Sequence, residues 1–280
     1  MGTQESNAVL LLSGRHDKFL KTYIRILNAF DSHYGKVDLV LNLWEDKFVG
    51  VDPRFNSDPN HWRDCIVDDR KSISYLRRFK RINSFGLTSN HLMLDFYEKI
   101  NSECNFKLDV SAFIKYFAPI FKTLRVINTY VNTTNRTHST VIKSRFDLLV
   151  GGEVANRYDP FDPNTIYVKF ANSFVDQEIF LCEQTTVDTF HKLTDKQIVE
   201  IFARYFNEIY YPAMKAGGKQ PIHMYPEFCW KYFIESIGCK ANQWFPFQYT
   251  GIYRNHLDDT GDVKSIRERN IRDGAAYSWK

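Results

Sequence analysis

The run Val141-Ile142-Lys143-Ser144-Arg145-Phe146-Asp147-Leu148-Leu149-Val150 places an arginine and an aspartate one residue apart between two apolar flanks. Short Val/Ile/Leu runs closed by glycines, here Gly151 and Gly152, are the pattern of a buried strand. Charges inside such a run are costly unless they pair or bind something. At the carboxyl end of an α/β strand they would lie beside the crevice where ligands bind. There an aspartate can hold a divalent cation and an arginine can face phosphate oxygens. A structural Arg145–Asp147 pair that closes a loop explains the same residues equally well.

A second set of polar residues follows the first apolar run, Ala8-Val9-Leu10-Leu11-Leu12. Ser13-Gly14-Arg15 can meet a diphosphate through backbone amides and the guanidinium. It lacks the further glycines of a dinucleotide fingerprint and the Gly-Lys-Ser/Thr of a phosphate-binding loop, so an ordinary strand-to-helix turn is its competitor. His16 and Asp17 are sequence neighbours, which do not face each other on a helix, so they imply no dyad. There is no Gly-x-Ser-x-Gly elbow and no His-Glu-x-x-His. The remaining acid–base candidates are Asp176, Glu178 and Glu227. Tyr225-Pro226-Glu227 opens a helix, where stabilisation of the helix dipole accounts for a carboxylate without chemistry.

The elements that must position these residues can be read from periodicity. Strands are predicted at Ala8–Leu12, Val37–Trp44, Val141–Val150 and Ile166–Val168, with Val175–Cys182 following. Helices are predicted near Lys18–Phe30, Leu92–Ile100, Ser111–Asn128, Thr185–Lys192, Thr194–Tyr211 and Pro226–Ile237. Phe19, Tyr23, Ile26, Leu27 and Phe30 form the apolar stripe of the first. Strand, glycine turn, helix, strand is a βαβ unit, which implies a parallel sheet. Glu45–Asn60 reads as a loop. Lys71–Ile82 is a basic helical segment, either a solvated face or a surface for an anionic ligand. The sum is one α/β domain over 1–280, with a mostly parallel sheet flanked by helices and a helical C-terminal half. Its nucleotide-binding half spans about 8–150, an acceptor half about 151–257, and a charged tail 258–280.

Composition narrows the class. A formal charge of +4 is too slight to imply nucleic-acid binding. Five cysteines without a close pair argue for reduced thiols rather than disulfides or a zinc site. The first residues are polar and no apolar run reaches the ~20 residues of a membrane span, so a cytoplasmic protein without a membrane segment is expected. Trp44, Trp230 and Trp244 are candidate sugar platforms, with core packing as their default.

In order along the chain stand Ser13-Gly14-Arg15 after an apolar strand, an Asp-containing strand ending in Trp44, Arg145-Phe146-Asp147, Asp176-Gln177-Glu178 and Tyr225-Pro226-Glu227. This order resembles the small GT-A-like glycosyltransferases that decorate capsular polysaccharides and the glycans of large DNA viruses of the chlorovirus type. The resemblance implies transfer from a nucleotide-sugar donor, a UDP-sugar such as UDP-xylose, to a glycan or glycoprotein hydroxyl in the cytoplasm, the host's if the protein is viral. It implies that Ser13, Gly14, Arg15 and Arg145 bind the donor, and that Asp147 holds a divalent metal, manganese or magnesium. Asp176 or Glu227 would be the base. Two residues depart from the pattern. Arg145 stands where the usual Asp-x-Asp metal motif has its first aspartate, and Tyr225 where a histidine more often precedes Pro-Glu.

Overall fold

The computed structural model describes residues 7–49, 58–145, 148–150, 162–168, 179–216, 225–243 and 249–252; the side chains of 16–23, 25, 59, 148–150 and 249–252 also lie outside the description. Phe19 and Tyr23 of the expected stripe, Trp244 and the charged tail therefore fall outside it.

In chain order β1 (Ala8–Gly14), α1 (His16–Tyr34) and β2 (Asp38–Trp44) form the expected βαβ unit, β1 pairing parallel to β2. A hairpin of β3 (Asp46–Phe48) and β4 (Ile66–Asp68) brackets α2 (Pro59–Asp64). Then come α3 (Arg70–Ile73), a 3₁₀ turn (Ser74–Arg78), β5 (Ser84–Thr88), α4 (Asn90–Ser102) and the long α5 (Val110–Thr133). After β6 (Thr140–Arg145) and β7 (Leu148–Val150) follow β8 (Thr165–Val168), β9 (Phe180–Cys182), α6 (Gln184–His191) and α7 (Asp195–Tyr205). A π turn (Phe206–Tyr210), α8 (Tyr211–Lys215), α9 (Pro226–Ser236), β10 (Lys240–Gln243) and β11 (Tyr249–Ile252) complete the described chain.

Seven strands make the main sheet in the order β10-β8-β9-β6-β1-β2-β5. Only β9 runs against its neighbours. The fold is thus α/β with a mostly parallel sheet flanked by helices. The half beyond residue 151 is not purely helical, since it supplies β8, β9 and β10. The apolar run expected as one strand divides. Residues up to Arg145 stay in the main sheet, whereas Leu148–Val150 pair antiparallel with Tyr249–Ile252 in a separate ribbon.

Alternation along the strands explains the two cores. Leu10, Leu12, Leu39, Leu41 and Ile142 point to one face, where Ile26, Leu27 and Phe30 of α1 cover them. Val9, Leu11, Val40 and Val141 point to the other, beneath α5. Along α5, Phe113, Phe117 and Phe121 recur at every fourth residue and stack at 4.7 and 5.4 Å. Phe121 also stacks on Trp44 at 6.0 Å, and Trp230 lies parallel to Phe190 at 5.8 Å, both tryptophans being buried. Trp44 and Trp230 are therefore core residues, not sugar platforms.

Three differences from the sequence reading have local causes. Ser84-Phe85-Gly86-Leu87-Thr88 is a strand that its central glycine concealed. The basic segment is a short helix and a 3₁₀ turn that stop at Arg78, because the chain must return to enter β5. The amphipathic helix beginning at Asp195 widens into the π turn. There Asn207 accepts from the Asn105 amide at 2.7 Å and donates to the Glu103 carbonyl at 3.0 Å, anchoring the α4–α5 connection.

The glycine in β5 is a packing requirement. A Cβ at Gly86 would overlap Thr129 Oγ1 and stand 3.0 Å from Thr129 Cγ2, so α5 approaches the sheet too closely for any side chain. Gly86→Ala should lower stability by about 1–3 kcal/mol, the usual cost of overpacking. In a Thr129→Ala background the extra cost should shrink. Urea denaturation of the two single variants and the double variant checks this, and additive losses would sink the explanation.

Candidate functional site

The chain leaves β1 for β2 and β5 on one side, and α5 returns it to β6 on the other side of β1. The strand order therefore reverses between β1 and β6. In open α/β sheets such a reversal opens a crevice at the carboxyl ends, where loops diverge and ligands bind.

The described residues at that point are those singled out from sequence. Ser13 of β1 is the direct register partner of Arg145 of β6 on one side and of Asn42 of β2 on the other. Asn42 in turn pairs with Gly86, so Arg145, Ser13, Asn42 and Gly86 form one transverse row near the carboxyl edge. Alternation directs the row toward the α5 face, since Ser13 follows Val9 and Leu11 by steps of two. Ser13 is 6 % exposed and its hydroxyl has no hydrogen-bond partner among the described residues.

Gly14 follows with φ 137°, in the region that L side chains rarely adopt. It turns the chain from β1 into α1. The exposed Arg15 is the N-cap of α1 in extended conformation, and it makes no side-chain cap. The 19-residue α1 thus begins beside the crevice with no cap from the side chain of its N-cap residue. The same holds for α6 and α9, whereas α4 is capped by Ser89 and Asp46, α5 by Asp109, and α7 by the Thr194–Gln197 capping box. Uncapped amides and the positive end of a helix dipole favour an anion.

Asp147 and Asp176 lie outside the described residues, as does Glu178. The described neighbours of Asp147 are Arg145, at the end of the main-sheet strand, and Leu148, the first residue of β7. The antiparallel pairing of β9 with β6, with Lys143 opposite Phe180, brings the chain into β9 from the carboxyl end of β6. Glu227 is half-buried in the first turn of α9, directly after Pro226. Its charge acts on Tyr116 of α5. Burial first, then Tyr210, Cys229 and Glu227, push that phenol well above its ordinary range. The helix that carries Glu227, α9, packs on α5, α7 and β10.

Other residues of the site were missed from sequence. Lys143, two positions before Arg145, is 1 % exposed on the same face as Ser13. A lysine so buried must be compensated; the neglected signal was a Lys-Ser pair inside an otherwise apolar strand. Asn42 donates to Thr129 Oγ1 at 3.0 Å and accepts from Thr88 Oγ1 at 2.8 Å, while Arg125 Nε donates to Thr88 Oγ1 at 3.4 Å. Its signal was an asparagine between Leu41 and Leu43. Asp46, just past β2, accepts from Ser89 Oγ and from both the amide and side chain of Asn90, so it is committed to α4.

A second polar cluster has the appearance of a relay. Tyr130 Oη is 2.9 Å from His138 Nδ1 and donates to Gln184 Oε1 at 2.8 Å, and His138 Nε2 is 2.9 Å from Asp38. It sits at the amino ends of β2 and β6, opposite the crevice, and the His138 side chain is 0 % exposed. Its role is to tie α5, α6 and two strands together. The cysteines offer no activated nucleophile among Cys104, Cys182, Cys229 and Cys239. Burial pushes Cys104 and Cys239 up to about 11, and Cys182 and Cys229 well above the ordinary thiol range. A cleft of ≈ 320 Å³ between α4 and α7 is crossed by the exposed Lys99–Asp195 pair at 3.8 Å and reads as solvated surface.

Among the described residues no three His, Cys, Asp or Glu side chains could hold one metal ion, and no helix is long and apolar enough to cross a membrane. Compared with known proteins, the chain matches no family model and no curated protein.

The turn at Gly14 yields a test. Gly14→Ala forces a side chain into a positive-φ backbone and should lower stability by about 1–3 kcal/mol. A denaturation midpoint equal to that of the unmodified protein would show that the turn is not held as described.

Proposed function

We propose that the protein is a glycosyltransferase of the GT-A-like kind, taking a nucleotide-sugar donor, in the first instance a UDP-sugar, in the crevice between β1 and β6. The observation that carries this reading is the register pairing of Ser13 with Arg145 at the point where the strand order reverses. Gly14, with its positive φ, and the start of α1 stand directly beside it.

The chemistry follows from what the donor must lose. Breaking the bond between the anomeric carbon and the phosphate oxygen leaves negative charge on a nucleoside diphosphate, and that charge needs compensation in the transition state. Arg15, Arg145 and the first amides of α1 are suited to this: two guanidinium forks and a set of oriented N–H groups. Among the described residues an ion would find no complete ligand set, and in this proposal Asp147 would hold any divalent metal of the reaction. When bound, such an ion would add positive charge at the leaving diphosphate. The acceptor hydroxyl must lose a proton as it attacks. A carboxylate base performs that step, Asp176 in this proposal, with Glu227 as the competitor already explained by its place at a helix start.

Donor class and reaction are tested together. In thermal-shift measurements, UDP-sugars including UDP-xylose, with and without manganese, should raise the melting temperature, because a ligand selective for the folded state stabilises it. Incubation with donor and a glycan acceptor should then release nucleoside diphosphate. Pyrophosphate release would instead make the protein a sugar nucleotidyltransferase. Stabilisation without turnover would make it a non-catalytic binding module, and no shift with any nucleotide would remove the crevice reading altogether.

Individual roles separate in the kinetics. Arg15→Ala should raise the donor KM more than it lowers kcat, as expected when uniform binding is lost. Asp147→Asn should abolish manganese-dependent transfer while leaving the melting temperature of the free protein unchanged. Asp176→Asn should lower kcat by roughly 10²–10⁴-fold with donor binding retained. A loss of that size in Glu227→Gln, with Asp176→Asn near normal, reverses the assignment of the base.

A further inference from the structure

The segment Arg70-Lys71-Ser72-Ile73-Ser74-Tyr75-Leu76-Arg77-Arg78-Phe79-Lys80-Arg81 holds six basic residues and no acidic one. It forms α3 and the 3₁₀ turn, the crossover that returns the chain from the hairpin at the end of β2 to the start of β5. Ile73 and Leu76 are buried against the α1-side core, and beside them Tyr75 and Phe79 meet edge-on at 6.0 Å from each other. This inward face fixes the outward one, because residues one turn apart share a side. Lys71, Arg77, Arg78 and Lys80 are accordingly all exposed.

The ion pairs divide the six. Arg70 is bound to Asp68 at 2.6 Å and Arg81 to Asp31 at 2.9 Å. Lys71, Arg77, Arg78 and Lys80 form no ion pair among the described residues. The segment thus presents four exposed cations without an ion-pair partner among the described residues, in a chain whose formal net charge is +4. Asp68 borders the segment and acts on both Arg70 and Lys71, so the unbalanced part of the charge is Arg77, Arg78 and Lys80, whose mutual repulsion is a cost.

We propose that this outward face is a docking surface for an anionic lipid bilayer. Four clustered basic residues match the sequence-readable signature of attraction to phosphatidylserine-type headgroups. Ile73 and Leu76 anchor the segment on the α1-side core, which leaves Lys71, Arg77, Arg78 and Lys80 on the outside, where a bilayer can reach them. The same anchoring keeps the turn from entering a major groove, and its aromatic rings face inward, where they cannot stack on bases. The surface is independent of the crevice and of the reaction proposed for it.

The test is co-sedimentation with vesicles of phosphatidylcholine containing about 30 % phosphatidylserine, against pure phosphatidylcholine. Binding is expected to the first only, and to fade as salt rises from about 0.05 to about 0.5 M. Each basic residue near such a surface contributes about a fivefold factor. Replacing Arg77 and Arg78 by Ser should therefore lower partition roughly 25-fold, and replacing all four by several hundredfold. A control that loses the same charge elsewhere, Lys107→Ser with Lys240→Ser, should change it far less, and unchanged melting temperatures show that the variants remain folded. Equal sedimentation with both vesicle types, or a four-residue variant that binds like the parent, overturns the proposal. So does tighter, equally Arg77/Arg78-dependent binding to a duplex or single-stranded oligonucleotide, which would assign the patch to nucleic acid.

Discussion

The close contact of α5 with the sheet is the constraint on which the architecture depends. Over its last three turns the helix presents Arg125, Thr129 and Thr133 to Thr88, Gly86 and Ser84, one helical turn for every two strand residues. Asn42 is bonded into the same seam through Thr129 and Thr88. Because α5 lies so tightly against β2 and β5, its exit at Thr133 delivers the chain to the far side of β1, where β6 forms. Reversal of the strand order is thus a consequence of helix placement. Without that reversal Ser13 and Arg145 would not be neighbours.

The same geometry separates polar clusters that sequence alone cannot tell apart. Asp46, Asn42 and the Tyr130–His138–Asp38 group are polar and wholly or largely buried, yet each has its hydrogen-bonding capacity taken up by neighbouring elements. Buried polar groups with all partners in place specify a structure and have little left for a ligand. The row at the end of β1 differs in kind. It combines a buried hydroxyl without a partner among the described residues, a positive-φ glycine turn, and a helix start that its own N-cap side chain leaves uncapped.

Legibility in the sequence followed the strength of local signals. The βαβ start was plain because Ala8–Leu12 and Val37–Trp44 are nearly continuous apolar runs around an amphipathic helix with a glycine turn. Placing Ser13, Gly14, Arg15 and Arg145 at one edge was also within reach, since strand ends in a parallel sheet align. The edge strand Ser84–Thr88 was hidden, because the residue that lets α5 approach it, Gly86, is also the one that lowers its strand propensity. Lys143 was passed over because a basic residue in an apolar run reads as an interruption until its burial is known. Trp44 and Trp230 follow their default, since the fold uses these large rings as core.

The π turn at Phe206–Tyr210 bears on how this chain can diverge. A π turn amounts to one residue inserted into an α-helix, and here that residue's worth of rotation lets Asn207 grip the α4–α5 connection while Tyr211 lies flat on Phe106 at 4.2 Å. Deleting a single residue there would restore a regular helix yet rotate everything after it by about 100°. Substitution in this helix is therefore open to gradual drift, but length is not. Homologous chains should differ freely in the exposed side chains around it and keep the same residue count between Asp195 and Lys215.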